Sequence, residues 1–402
     1  MIVLTLNSGS SSLKFGLYDI ENSGVLTTLC AGELESIGDK LSKLHAKDGA
    51  QNVLVSKALA IANQQEAVLL IGKLLAQHNM PQPTAIGHRI VHGGVALLQH
   101  CLIDDAVMQQ IHSASVFAPL HNKTALTLIQ SAQKLFPSIP QFACFDTTFH
   151  RDMPAVAHTL PIAKTLQQAG IKRYGFHGLS CESIVQQLKD DMPKRLIIAH
   201  IGNGVSVTAV KAGKSIDTSM GLTPSGGAMM GTRSGDIDPG VMIYLMRELN
   251  FNAQKIEQLI DHQSGLLGVS GISADMRQLH LAAASNKDAA LAIDMFCTSL
   301  SKQSSAMITA LQGVDMLVFT GGIGENDAIV RAKICQALTW FGISLDATKN
   351  ALIASAEARN ITDIADTYIS HAQSRCTLRV IASQEDMQIA RHVVALLQPV
   401  NH

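Results

Sequence analysis

This chain of 402 residues has no cysteine framework, no long apolar run and no excess of charge. Its seven cysteines, Cys30, Cys101, Cys144, Cys181, Cys297, Cys335 and Cys376, are scattered without a C-x-x-C pair. An odd, unpatterned set excludes a disulfide scaffold and fits a reduced protein. No apolar run approaches the roughly 18–20 residues of a membrane span. Met1 to Asn7 lacks a basic region and is too short for a signal peptide, so a soluble cytoplasmic protein is expected. Lys plus Arg number 31 against 32 Asp plus Glu, a net charge of -1 that speaks against a nucleic-acid partner. Charged residues are only 16 % of the chain and apolar ones 47 %. That balance calls for large cores and for a subunit interface. At roughly 100–200 residues per domain, the length implies two or three domains.

Two common nucleotide fingerprints are missing as well. Gly213-Lys214-Ser215 lacks the glycine five residues earlier, where Thr208 stands, and follows a strand signal, so it reads as a surface turn. No G-x-G-x-x-G joins a first strand to a helix; Gly202-Asn203-Gly204 resembles only its beginning. His88 and His92 are four apart, but no glutamate follows the first, and the zincin motif fails.

What is present is a repeated device. The apolar run Ile2 to Leu6 enters Asn7-Ser8-Gly9-Ser10-Ser11-Ser12, and a second strand signal spans Leu13 to Tyr18. Leu196 to Ile201, Gly202-Asn203-Gly204 and Val205 to Val210 repeat that pattern, which suggests a duplicated unit. Met316 to Thr320 runs into a third glycine-rich turn, Gly321 to Asn326. Helical periodicity lies between, at Gln65 to His78, Lys123 to Phe136, Ser180 to Asp191, Asn286 to Leu311 and Met387 to Leu397. Strands alternating with helices argue for an α/β protein. Candidate boundaries fall near Phe149 to Pro154 and near the last strand, Leu378 to Ala382. With no low-complexity linker, two intimate lobes around a ligand cleft are expected.

Glycine-rich turns after strands let backbone N–H groups converge on anionic oxygens. Hairpin geometry alone can also demand them. Three such turns favour phosphate binding, and Ser10, Ser12 and Lys14 add hydroxyls and a cation to the first. Arg89 and Arg233 sit in glycine-rich contexts suited to a planar anion or to a domain-bridging ion pair. His121, His177 and His200 abut loop signals, as structural histidines or as site residues. Asp146 ends an apolar strand, where it is either a helix N-cap or a partner for a cation. The constellation suits phosphoryl transfer from a nucleotide and leaves the acceptor open.

Asn7 to Phe15 resembles the amino-terminal signature of the acetate kinases, and Arg173-Tyr174-Gly175-Phe176-His177-Gly178, followed by Ser180, resembles their second. Gly87 to Gly94, Ala118 to Asn122, Phe145 to His150, His200 to Gly204, Asp217 to Asp238 and Phe319 to Asn326 match further blocks in order. The resemblance covers almost the whole chain. It implies a two-lobed actin/hexokinase-like (ribonuclease H-like) α/β fold, with a duplicated mixed β-sheet core and an interlobe cleft, assembled as a homodimer. The expected lobes are 1–149, with a terminal helix at 386–402 packing back on it, and a nucleotide-binding 150–385.

The implied reaction is reversible transfer of the ATP γ-phosphoryl group to acetate by in-line displacement, giving acetyl phosphate and ADP. It depends on Mg²⁺, with Mn²⁺ as an alternative. A kinase for propionate or another short acid, and an actin- or chaperone-like ATPase, are the competing readings. By the resemblance, Asn7 and Glu385 serve the metal and Lys14 contacts ATP. His200, Ile201, Gly202, Asn203 and Gly204 meet phosphates, while Asp275, Met276, Arg277, Gly322, Ile323, Gly324, Glu325 and Asn326 meet the nucleotide. Arg89 holds the carboxylate, Asp146 is assigned acid/base work, and His177 and Arg233 stabilise the transition state. Acetate is already ionised near neutral pH, so Asp146 is expected instead to orient an arginine or a metal-bound water. Val91, Leu120, Phe176 and Pro224 line the space around the acyl methyl. Valine at 91 in place of alanine favours acetate over propionate, one methylene being worth about 1–3 kcal/mol. The chain departs from the family at Ser225-Gly226-Gly227-Ala228, before Arg233, and at Ser383-Gln384-Glu385-Asp386.

Overall fold

Apolar runs separated by small polar turns, at Ile2 to Tyr18 and again at Leu196 to Val210, contribute to two mixed sheets in the computed structural model, which describes residues 1–9, 11–21, 24–353 and 367–398. The first contains β1 (Ile2–Ser8), β2 (Leu13–Ile20), β3 (Leu26–Glu35), β4 (Ser42–Asp48), β5 (Val53–Leu59), β6 (Ala85–Ile90), β7 (Cys101–Leu102) and β8 (Gln141–Phe145). Their order is β5-β4-β3-β2-β1-β6-β8-β7. The second contains β9 (Arg195–Ile201), β10 (Val205–Lys211), β11 (Lys214–Thr218), β12 (Met316–Thr320) and β13 (Thr377–Val380), in the order β11-β10-β9-β12-β13.

Across β3-β2-β1-β6-β8, successive neighbours pair antiparallel, antiparallel, parallel and parallel. The run β11-β10-β9-β12-β13 repeats that series. The duplication expected from two hairpins is thus present as topology, with β1 matched by β9, β6 by β12 and β8 by β13.

The chain divides into two compact units. One comprises Met1–Thr148, Gly178–Ser183 and Gln384–His402; the other comprises Phe149–His177 and Ile184–Ser383. The short segment Gly178–Ser183, expected within 150–385, belongs to the first unit.

In the first unit the pleat sorts side chains onto two faces. Leu4, Leu6, Leu13, Phe15, Leu17 and Ile86 pack with Val68, Ile71 and Leu75 of the helix Gln64–Gln77 and with Leu128 and Ala132 of the helix Pro119–Leu135. On the opposite face, Val3, Tyr18, Ile20, Ala85 and Phe142 pack with Ala390 and Val393 of the helix Glu385–Leu397. That helix comes so near that a Cβ on Gly87 would lie 2.4 Å from Ile389 Cγ2 and 2.8 Å from Val393 Cγ2. In the second unit the strands β9 and β10 are buried along almost their whole length. The helix Lys287–Leu311, capped by Asn286, packs Phe296, Leu300 and Met307 into that core.

Three expectations shift. The helix expected from Lys123 begins at Pro119, because proline with its fixed φ suits a first helical position, so Leu120 and His121 lie in its first turn. The turn expected at Gly321 to Asn326 is a one-and-a-half-turn helix. The helix expected from Ser180 to Asp191 spans Gly178–Gln187. All seven cysteines are free thiols. Among the described residues no helix is long and apolar enough to cross a membrane.

Candidate active site

The parallel strands β1, β6 and β8 end side by side in the first unit, and each presents a polar residue there. Asn7 is next to last in β1, Arg89 next to last in β6, and Asp146 follows β8 directly. Counting by twos along each strand places Asn7 with Val3, Arg89 with Ala85 and Asp146 with Phe142, on the face that receives the helix Glu385–Leu397. Ligand sites in open α/β sheets collect at such carboxyl ends.

Asp146 is fully buried and grips Arg89. The guanidinium Nε donates to both carboxylate oxygens at 3.1 Å, and Nη2 donates to Oδ2 at 2.6 Å. Nη1 donates to Asn7 Oδ1 at 3.3 Å, and Asn7 Nδ2 donates to Glu385 Oε2 at 3.0 Å. Lys14, exposed on β2, is the direct cross-strand partner of Asn7. Burial raises the Asp146 carboxyl against the opposing pull of Arg89. Burial by itself would lower the Arg89 guanidinium, but the charges of Asp146, Glu385 and Asp386 outweigh it and hold the group above its ordinary value. Of the two roles open to Asp146, holding a cation is therefore the one the geometry meets.

The second unit gathers a different set around the β9–β10 turn. Gly175, at φ +76, allows the chain to turn where a Cβ would strike Thr218 and the His150 ring at 2.6–2.8 Å. Two residues later His177 takes a left-handed conformation, φ 57 and ψ 29, as the N-cap of the helix Gly178–Gln187. Left-handed backbone in a non-glycine residue is strained and collects at functional sites. The His177 ring stacks on His200, centroids 4.2 Å apart, and its Nδ1 lies 3.0 Å from Ser206 Oγ. A Cβ built on Gly204 would sit 3.2 Å from His177 Nε2 and 3.5 Å from Arg233 Nη1. One on Gly202 would sit 3.8 Å from His200 Nε2 and 3.9 Å from the backbone nitrogen of Gly322. Two histidines, an arginine and a backbone N–H thus converge on one glycine turn, a setting for anionic oxygens.

The loop before Arg233 is pinned despite its glycines. Gly227 N donates to Asp236 Oδ1 at 2.7 Å, Ser225 Oγ binds Asp261, and Arg233 Nη1 donates to the Pro224 carbonyl at 3.2 Å. Asp275 caps the helix Met276–Ala282, where Met276 is buried and the exposed Arg277 forks back onto Asp275. Nearby, His280 Nε2 lies 2.8 Å from Asp327 Oδ2, which ties this helix to the end of Gly321–Asn326. Glu325 faces inward: its Oε1 accepts from Gly321 N and Ser383 N at 2.9 Å, and the fully buried Arg331 donates to the carbonyls of Gly324 and Glu325. Ile201 is buried, Asn203 is exposed, and Asn326 Nδ2 donates to the Gly322 carbonyl. Ile323 is half-buried.

Of the remaining candidates, Ser12 accepts from Gly9 N through its carbonyl, while Ser10 and the side chain of Leu120 lie outside the described residues. Val91 is buried in the first unit; Phe176 and Pro224 are buried in the second.

A divalent cation fits the first group. Asn7 and Glu385 offer hard oxygen donors, as Mg²⁺ prefers. Beside them Asp386 Oδ1 is buried with no hydrogen-bond partner among the described residues, an oxygen that a cation would satisfy. Burial and the neighbouring Glu385 charge push the Asp386 carboxyl up to about 6. Asp386 is the residue that motif reading underrated; its adjacency to Glu385 was the available signal.

A duplicated α/β sheet of the actin/hexokinase-like class, with cations and carboxylates at its strand ends, is the setting of a phosphotransferase. A family model described as the acetokinase family matches residues 2–391. An acetate kinase of Campylobacter lari is 38 % identical over 410 residues, covering 99 % of this chain and all of that protein. Among solved structures, a propionate kinase from Francisella tularensis superposes with a TM-score of 0.87 at 36 % identity, covering 98 % of this chain and 100 % of that one. The acetate kinase of Porphyromonas gingivalis does so with a TM-score of 0.83 at 34 % identity, covering 99 % and 100 %. The chain belongs to the acetokinase family.

Proposed function

We propose that this protein transfers the γ-phosphoryl group of ATP to acetate, reversibly, forming acetyl phosphate and ADP. The observation that carries the reading is the state of Arg89. A guanidinium has five N–H donors. Asp146 and Asn7 take three of them, and among the described residues two stay available for a bidentate carboxylate. An ATPase that only positions water has no use for such a fork.

Ionised acetate has no proton to give up, so Asp146 serves by fixing the plane of Arg89. In the transition state charge spreads over three equatorial phosphoryl oxygens, and donors aimed at them lower the barrier. Arg233 offers a planar fork. With the Ser206 hydroxyl donating to Nδ1, His177 presents an N–H at Nε2. The glycine turn 202–204 and Lys14 receive the other phosphates, and Asp275 to Arg277 with Gly322 to Asn326 receive the nucleoside. Asn7 and Glu385, with Asp386 beside them, would hold Mg²⁺, which when bound neutralises phosphate oxygens.

The protein is also read as a cytoplasmic homodimer. The helix Pro239–Glu248 has no buried residue and exposes Val241, Ile243, Tyr244 and Met246 around its circumference, an apolar surface suited to a second copy. Light scattering on the wild type and on Tyr244→Glu tests that assembly.

Incubating the protein with ATP, Mg²⁺ and hydroxylamine traps any acyl phosphate as a coloured hydroxamate. Colour strongest with acetate, weaker with propionate and absent without acid is the expected result. Strongest colour with a longer acid keeps the mechanism and reverses the argument from Val91. ADP release without any hydroxamate refutes the proposal.

A further inference from the structure

Three side chains far apart in sequence meet in the first unit, outside the residues discussed so far. Glu182 lies on the helix Gly178–Gln187, His100 just before β7, and His392 on the helix Glu385–Leu397. His392 Nε2 is 2.6 Å from Glu182 Oε2, His100 Nε2 is 3.8 Å from Glu182 Oε1, and the two imidazole centroids are 4.0 Å apart. All three are largely shielded, with side-chain exposures of 9 % for His100, 15 % for Glu182 and 21 % for His392.

Each member leads to a residue of the candidate site. His100 Nδ1 accepts the backbone N–H of Phe145 at 3.1 Å, and Phe145 immediately precedes Asp146. The carbonyl of Asp146 accepts from Gly178 N at 2.9 Å, and Gly178 opens the helix that carries Glu182 and follows His177. His392 stands seven residues after Glu385, two helical turns on and therefore on the same face. We propose that Glu182, held between His100 and His392, is a positioning residue that fixes the Phe145–Asp146 segment, and through Asp146 the plane of Arg89, relative to the helix that begins with Glu385. This rests on the roles given above to Arg89 and Asp146.

Two imidazoles and a carboxylate within 4.8 Å of one another also resemble a site for a transition-metal ion. The Phe145 N–H argues otherwise. A neutral imidazole has one protonated nitrogen and one lone pair. Since His100 Nδ1 uses its lone pair on Phe145, the proton stands on Nε2, the nitrogen that faces Glu182. A metal at Nε2 would need that proton gone. Glu182 meets imidazoles instead: its hydrogen bond to His392 and the nearness of His100, 3.8 Å away, overcome burial and hold its carboxyl down at about 2. Gln388 completes the surroundings, with Nε2 3.1 Å from His392 Nε2 and Oε1 accepting from Arg391.

The test separates positioning from simple stability. Glu182→Gln keeps the side-chain shape and removes the charge; the KM for acetate should rise about tenfold while the KM for ATP stays near the wild type. His392→Leu should behave like it, and His392→Gln, which still offers an N–H to Glu182, should recover most of the loss. Those two variants carry the test if Glu182→Gln does not fold. Nitrogen-15 NMR should report the Nε2–H form of His100 in the wild type. A wild-type KM for acetate in folded Glu182→Gln, or in folded His392→Leu, overturns the proposal. So does stoichiometric Zn²⁺ binding by calorimetry that disappears in His392→Leu. Arg89→Lys is the control: a wild-type KM for acetate there refutes the site reading itself, whereas a large rise there beside normal Glu182 variants refutes only the clamp.

Discussion

Asparagine at position 146 would keep the side-chain shape while removing the charge that holds Arg89. In the wild type two guanidinium N–H groups reach the carboxylate, one shared between both oxygens and one at 2.6 Å. Asparagine has one acceptor oxygen, and its amide N–H₂ would face a cation. Removing one partner of a buried ion pair costs about 3–5 kcal/mol when nothing replaces it. Asparagine still accepts one bond and Arg89 is 16 % exposed, so the expected loss is about 2–3 kcal/mol. If that loss falls on carboxylate binding, kcat/KM for acetate drops roughly 30- to 150-fold while the KM for ATP is unchanged. The assay is hydroxamate formation across acetate concentrations, with urea unfolding of the same protein to measure the share that falls on stability. Near-normal kcat/KM with normal stability would refute both the arginine-holding role and any acid/base role. A collapse of kcat at constant acetate KM would refute the arginine-holding role and point to proton transfer.

Three further outcomes follow from the same geometry. Glu385→Gln should raise the Mg²⁺ concentration giving half-maximal activity by about tenfold, because a carboxylate ligand becomes a neutral one, and a chelator should stop the wild type until Mg²⁺ is restored. His88 is fully buried, its Nε2 2.7 Å from Gln141 Oε1, and burial pushes its imidazole down to about 4. Between pH 6.5 and 4 the unfolded ring binds a proton that the folded ring refuses, so stability falls with pH across that window by about 3 kcal/mol; His88→Leu should flatten that part of the unfolding curve. Gly87→Ala drives a methyl into Ile389 and Val393, and should cost about 1–3 kcal/mol in urea unfolding through displacement of the terminal helix.

Much of this architecture was legible because local signals and pairing agree. The hairpins β1–β2 and β9–β10 are short apolar runs, buried along almost their whole length and joined by a small polar turn, and each pairs antiparallel with its neighbour in sequence. Motif order reached Arg89, Asp146, His177 and the glycine turn, since each sits at or beside a strand or helix end where function concentrates. The rest depends on distance in space. Nothing local to Gln99-His100-Cys101, to Cys181-Glu182-Ser183 or to Arg391-His392-Val393 says that these three segments meet in one cluster; only the folded chain brings positions 100, 182 and 392 together. Gly178–Ser183 likewise reads as ordinary amphipathic helix, and its membership of the first unit is set by Leu179 packing on Cys144 and Ile389. The helix starts at Pro119, ahead of its periodic stretch, because a proline that signals a break within a helix is equally suited to open one.

The helix Glu385–Leu397 imposes an order of events on synthesis. It packs on Val3, Ala85 and Phe142 of strands that lie within Met1–Thr148, yet it is made only after the whole of the second unit. At 5–20 residues per second, roughly 10–50 s separate the two on the ribosome. During that interval the nascent first unit has an apolar face with no cover, while the second unit, complete by Ser383, can close without it. The wait is built into the chain order: a copy made only as far as the second unit is a substrate for chaperones and proteases, and the helix that follows that unit both seals the core and delivers Glu385 to its place.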